Sequence, residues 1–226
     1  MDIRYLHVPK IIFSLFYLIW FLASGAHIGC SKILIGNKEA VGKKWVCDRT
    51  ADHAMERYDY EAGISLHERL LEEQPENALA LYHLGYAYGR TGDHLKEAFC
   101  YEKAIALGFR NDQIYFNLGM AYGELNQLQK SIVAFKNALE IEPNNADYHF
   151  ALAMALVENM DKRRAEEEFL KVLEIEQAHV EAHLMLVQIY LERGEMQKAA
   201  ERIREILKID PTNEEARKIL ERMQQN

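Results

Sequence analysis

The sequence predicts an all-α chain of about five repeated helix-turn-helix units closed by one further helix. Three observations predict it. Positions of like character recur every 34 residues along most of the chain. Within each unit, apolar residues fall at the spacing of one helix face. Only 4 prolines and 12 glycines occur among 226 residues, and 49% of the chain is hydrophobic, so a core is affordable and long loops are not.

The period is carried by several registers. Leu84, Leu118, Leu152 and Leu186 are 34 apart, and so are Gly85, Gly119, Ala153 and Val187. Tyr88 and Tyr122 follow the same step, with Tyr190 68 further on. Tyr101, Phe135, Phe169 and Ile203 form another register, and Ala104, Ala138, Val172 and Ile206 one more. Pro75, Pro143 and Pro211 are spaced by 68. The small residues let two helix backbones approach, and the aromatics fill the space between hairpins. Pro143 cannot easily continue a helix, and Asn144-Asn145 supply a turn after it.

This pattern resembles the tetratricopeptide repeat, in which a large residue is followed by Leu-Gly, Tyr, Ala, an aromatic, Ala and Pro. The third unit is the fullest copy: Tyr115, Leu118, Gly119, Tyr122, Ser131, Phe135, Ala138 and Pro143. The resemblance implies a right-handed solenoid and covers about 44–226.

In chain order, residues 1–29 read as a signal peptide or membrane anchor. Arg4 and Lys10 precede an apolar run from Ile11 to Ala23. Gly29-Cys30 then resembles the bacterial lipoprotein cleavage box, although His27 stands where that family usually has Leu. Three readings stay open: lipidation at Cys30, an uncleaved single-span anchor over 11–28, and cleavage after Ala26. Each places the chain at the cell envelope, on the periplasmic side of a bacterial membrane or on a membrane surface. Residues 30–43 form a tether.

The units are then 44–77, 78–111, 112–145, 146–179 and 180–213. The first is degenerate, with Thr50-Ala51 in place of Leu-Gly. The second shifts its small residue to Ala98 and lacks the closing Pro, and the fourth has Gln177 in that place. Residues 214–226 are apolar only at Ala216, Ile219, Leu220 and Met223 and read as the polar-backed cap of a repeat array.

The resemblance also implies where partners bind, since first helices of successive units line a concave groove in this family. Tyr82, Phe116, Phe150 and Leu184 share one groove register, Tyr86, Met120, Met154 and Gln188 the next, and Arg90, Glu124, Glu158 and Glu192 a third. The i, i+4, i+8 spacing puts each trio on one helix face. An exposed groove with an aromatic and methionine middle and an acidic rim is expected, suited to an apolar, partly basic peptide or helix. Packing of these residues against a neighbouring repeat is the competing reading. With only Arg90 basic in the groove, holding acidic chain ends is disfavoured.

Other functions find little support. A net charge of −8 supplies no basic face for nucleic acid or anionic lipid. His67-Glu68 begins like a zinc-protease motif, but Leu71 replaces the second His. His179 and His183 are four apart without an evident third ligand, and His149 and His183 stand in a packing register, so no metal site is assigned. Phosphate loops and Gly-x-Ser-x-Gly elbows are missing. Cys47 and Cys100 read as packed thiols, with pairing in an oxidising compartment the alternative. The expectation is a non-enzymatic, cofactor-free adaptor that binds protein at the envelope. Alternatives are an assembly factor for an outer-membrane, pilus or secretion complex and a chaperone-like holder of unfolded substrate.

Overall fold

The computed structural model describes residues 45, 46 and 48–224. The signal or anchor, the lipidation candidate Cys30, and Cys47 lie outside them. The described residues form eleven helices and no strand. Helices α1 (Arg49–Glu56) and α2 (Tyr60–Glu73) make the first hairpin, and α3 (Ala78–Thr91) and α4 (His94–Ala106) the second. Then come α5 (Asp112–Glu124) with α6 (Leu128–Ile141), α7 (Ala146–Glu158) with α8 (Lys162–Ile175), and α9 (Val180–Glu192) with α10 (Met196–Ile209). A last helix, α11 (Glu214–Gln224), follows. First helices from α3 onward thus start 34 residues apart, at 78, 112, 146, 180 and finally 214.

Local chemistry at both ends of the turns explains this regularity. Asn77, Asn111, Asn145 and Asn213 each accept a hydrogen bond from the backbone N–H three residues on, and His179 does so through Nδ1. These side chains satisfy otherwise orphaned donors at each helix start. Asp59, Asp93 and Asp161 cap second helices in the same way. Inside each hairpin, one turn residue is left-handed: Tyr58, Gly92, Asn126, Met160 and Gly194, again every 34 residues. Glycine adopts that conformation freely, whereas a β-carbon makes it costly, least so for asparagine.

The chain divides into two compact units between Glu142 and Pro143. In the first, close helix approach depends on the glycines. A β-carbon at Gly119 would lie 2.6 Å from the Phe135 ring, and one at Gly85 2.8 Å from Tyr101. Ser131 donates to the Gly119 carbonyl at 2.7 Å, tying α6 to α5. Tyr88 donates to Glu68, and Tyr122 to Glu102, one repeat later. Glu97, not Ala98, occupies the position equivalent to Ser131; it is fully buried and paired with His94 Nδ1 at 2.8 Å. That hydrogen bond raises the His94 pKa. Cys100 is a free, buried thiol, and burial pushes its pKa up to about 12.

In the second unit, Phe169, Val172, Ile203 and Ile206 are fully buried. His149 and His183 are indeed packing residues: both are buried, with Nε2 on the carbonyls of Pro143 and Gln177, six residues back in each case. Of the consecutive glutamates 166–168, Glu166 pairs with Arg193 and Glu168 with His149, while Glu167 pairs with Arg163 on the surface. Helix α11 buries Ala216 and Ile219 and leaves its other side polar and exposed. No helix among the described residues is long and apolar enough to cross a membrane.

Candidate partner-binding face

The first helix of a hairpin has to serve two neighbours, its own second helix and the previous hairpin. Helix α3 shows the consequence, since every residue from Ala78 to Gly89 is buried. Tyr82 projects from α3 onto the rings of Tyr101 and Phe109, at centroid distances of 5.8 and 5.2 Å. Its hydroxyl donates to Gln113 at 3.5 Å, and burial raises its pKa. One turn on, the Tyr86 ring meets Tyr60 edge-on at 6.3 Å, and burial pushes its hydroxyl up to about 12. The Arg90 guanidinium sits 5.1 Å over the Tyr60 ring, a cation–π arrangement.

Helix α5 repeats the arrangement. Phe116 is fully buried and lies 5.5 Å from the Phe135 ring, and Met120 is fully buried one turn later. Glu124 is half-buried, with desolvation raising its pKa. In the second unit, Phe150 lies 5.5 Å from Phe169 and stacks on His179 at 4.9 Å. Met154 is buried one turn later, and Glu158 is half-buried. On α9, Leu184 and Gln188 are half-buried, whereas Glu192 is exposed and pairs with Lys162 of α8.

The expected exposed aromatic and methionine groove is therefore corrected. Tyr82, Phe116 and Phe150 are packing residues, each facing the aromatic of its own second helix, so the same ring pair recurs through three hairpins. Tyr86, Met120 and Met154 are buried as well. What stays partly accessible is Arg90 and Glu124 in the first unit and Glu158, Leu184, Gln188 and Glu192 in the second. The rings at 101, 135 and 169 were the sign that a second aromatic layer was needed to fill the hairpins.

His179 and His183, four apart in sequence, each contact other groups of the hairpin. His179 Nδ1 caps α9 and contacts Glu181 at 3.3 Å, while His183 Nε2 is held by Gln177. Desolvation lowers the His183 pKa.

Four family models, all described as tetratricopeptide repeat, match residues 49–111, 113–145, 134–167 and 163–223. The chain belongs to the tetratricopeptide repeat family. Among curated proteins, none matches this tetratricopeptide repeat protein in sequence. Solved structures resemble it in fold. The crystal structure of MamA is 20% identical with a TM-score of 0.70, covering 74% of this chain and 97% of its own. YrrB, described as a tetratricopeptide repeat protein with an unusual peptide-binding site, is 21% identical with a TM-score of 0.70, covering 87% of this chain and 100% of its own. MamA from Desulfovibrio magneticus RS-1 is 14% identical with a TM-score of 0.67, covering 73% and 93%. At such identities the likeness establishes the fold.

Proposed function

We propose that this tetratricopeptide repeat protein is a non-catalytic scaffold of the cell envelope that binds partner proteins through the first-helix faces of its hairpins. The observation that carries the reading is the repeat plan itself. Each hairpin spends its residues of 34-residue spacing on packing, and the remaining first-helix positions recur in register. The half-buried Glu124 and Glu158 and the exposed Glu192 favour a partly basic ligand, and half-buried Leu184 and Gln188 offer an apolar and hydrogen-bonding surface between charged neighbours. The buried aromatic layer sets the position of these groups and does not itself meet the ligand. YrrB, by its description, binds peptide on the same fold. The envelope location rests on the apolar run Ile11–Ala23 and Gly29-Cys30.

Crosslinked capture from membranes tests the reading. The wild-type chain should retain a small, defined set of envelope proteins. A Leu184→Ala/Glu192→Gln variant should lose that set, with binding weakened about tenfold or more, corresponding to ~1.4 kcal/mol. Its melting curve should stay near that of wild type. An unchanged set would move the binding surface off α9, and a broad set of unfolded chains would favour a chaperone-like holder. Members of one secretion or pilus complex in the set would specify an assembly role. The intact mass of the mature chain decides the anchor: a lipid-bearing Cys30 terminus, cleavage after Ala26, or retention of the whole segment. An unprocessed chain in the soluble fraction would contradict the envelope location.

A further inference from the structure

The first hairpin buries polar side chains at two positions that later hairpins fill with largely apolar ones. His67 stands 34 residues before Tyr101, in the register filled by Tyr101, Phe135, Phe169 and Ile203. Asp52 stands 34 before Tyr86, in the register of Met120 and Met154. Both are buried, together with His83 of α3, whose imidazole is 1% exposed. Among the described residues, these three form the one cluster of His, Cys, Asp or Glu whose donor atoms all lie within 4.8 Å of one another.

Hydrogen bonding alone does not account for the cluster. His67 Nδ1 lies 2.8 Å from the Gly63 carbonyl, which has only lone pairs, so Nδ1 carries the proton. In the neutral ring Nε2 then carries the lone pair. That lone pair faces Asp52 Oδ1 at 3.9 Å. His83 Nδ1 approaches the same oxygen at 2.9 Å, yet Asp52 Oδ1 has no hydrogen-bond partner, and neither has His83 Nε2. A buried carboxylate oxygen left this way costs several kcal/mol unless a cation or donor meets it.

We propose that Asp52, His67 and His83 bind a divalent transition-metal ion of the zinc class, which joins the first hairpin to α3. Two imidazoles and a carboxylate suit such an ion, whereas calcium and magnesium call for all-oxygen sets. Zinc bonds of about 2.0–2.1 Å in a tetrahedron separate donor atoms by roughly 3.3 Å, between the 2.9 and 3.9 Å separations found here. The Nδ1–H of His67 on a backbone carbonyl is the second-shell arrangement that orients a ligating imidazole through its other nitrogen. The second Asp52 oxygen or a water takes the fourth position. Because all three side chains are buried, the ion enters as the hairpins assemble and serves to hold them.

The full chain, stripped with chelator, should take up about one zinc per chain and melt at higher temperature when zinc is restored. Cobalt(II) in its place should give the intense visible absorption of a tetrahedral site without a thiolate charge-transfer band. Asp52→Asn and His67→Gln should each weaken binding by at least ~100-fold, more than a second-shell loss would. X-ray absorption of the zinc-loaded wild type should show two imidazole ligands and no sulfur, a result that holds even where a variant fails to fold. Absence of stoichiometric zinc, wild-type affinity in both variants, or sulfur ligation would overturn the proposal.

Discussion

The first and third hairpins use one backbone plan and fill it with different chemistry. In the third, Gly119 lets α5 meet the fully buried ring of Phe135, and Ser131 fastens the two helices with a hydrogen bond. In the first, Ala51 stands in the place of Gly119 and His67 in the place of Phe135. Its helix α1 spans only 8 residues, against 13 for α5. Both hairpins bury these positions. The same register can therefore be held by apolar volume or by polar partners. The second choice is conditional, because a buried polar group stabilises only when its partners are present.

The comparison is broken most severely by truncating the two equivalent residues. Phe135→Ala should cost about 3–5 kcal/mol in urea unfolding, from lost burial and the cavity left behind. In the presence of chelator, His67→Ala should cost clearly less, since the cluster then lacks its cation. Equal losses would mean that the first hairpin is an ordinary packed core. A smaller effect is expected at the close approach: Gly119→Val should destabilise by about 1–3 kcal/mol or more, because the added carbons meet the Phe135 ring. The turns give the smallest and most discriminating pair. Tyr58 and Asn126 occupy the same left-handed position, with φ of 63° and 56°. Tyr58→Gly should stabilise by about 1 kcal/mol and Asn126→Gly by only a few tenths, because asparagine already tolerates that conformation. Thermal melts of the two variants would show whether the first hairpin carries more backbone strain than the third.

Much of the hairpin plan was legible because packing at close range is unforgiving. A glycine opposite an aromatic at both 85 and 119 leaves few alternatives, and the cap asparagines at 77, 111, 145 and 213 repeat on the same step. The groove was less legible. A period identifies equivalent positions without saying how far a ring leans, and Phe116 and Phe150 lean onto Phe135 and Phe169. The buried cluster was invisible to spacing rules, because Asp52, His67 and His83 come from three helices and share no local motif. His67 drew notice only as part of a failed protease motif. Its more telling feature was its register, which the four later units fill with Tyr101, Phe135, Phe169 and Ile203.

Native-state hydrogen exchange across α1–α2 and α5–α6 of the full chain, with chelator and then with zinc, tests the contrast most directly. The α1–α2 amides should exchange faster than those of α5–α6 in chelator, and zinc should slow exchange in the first hairpin while leaving the third unchanged. Equal protection of the two hairpins in chelator, with no response to zinc, would contradict it.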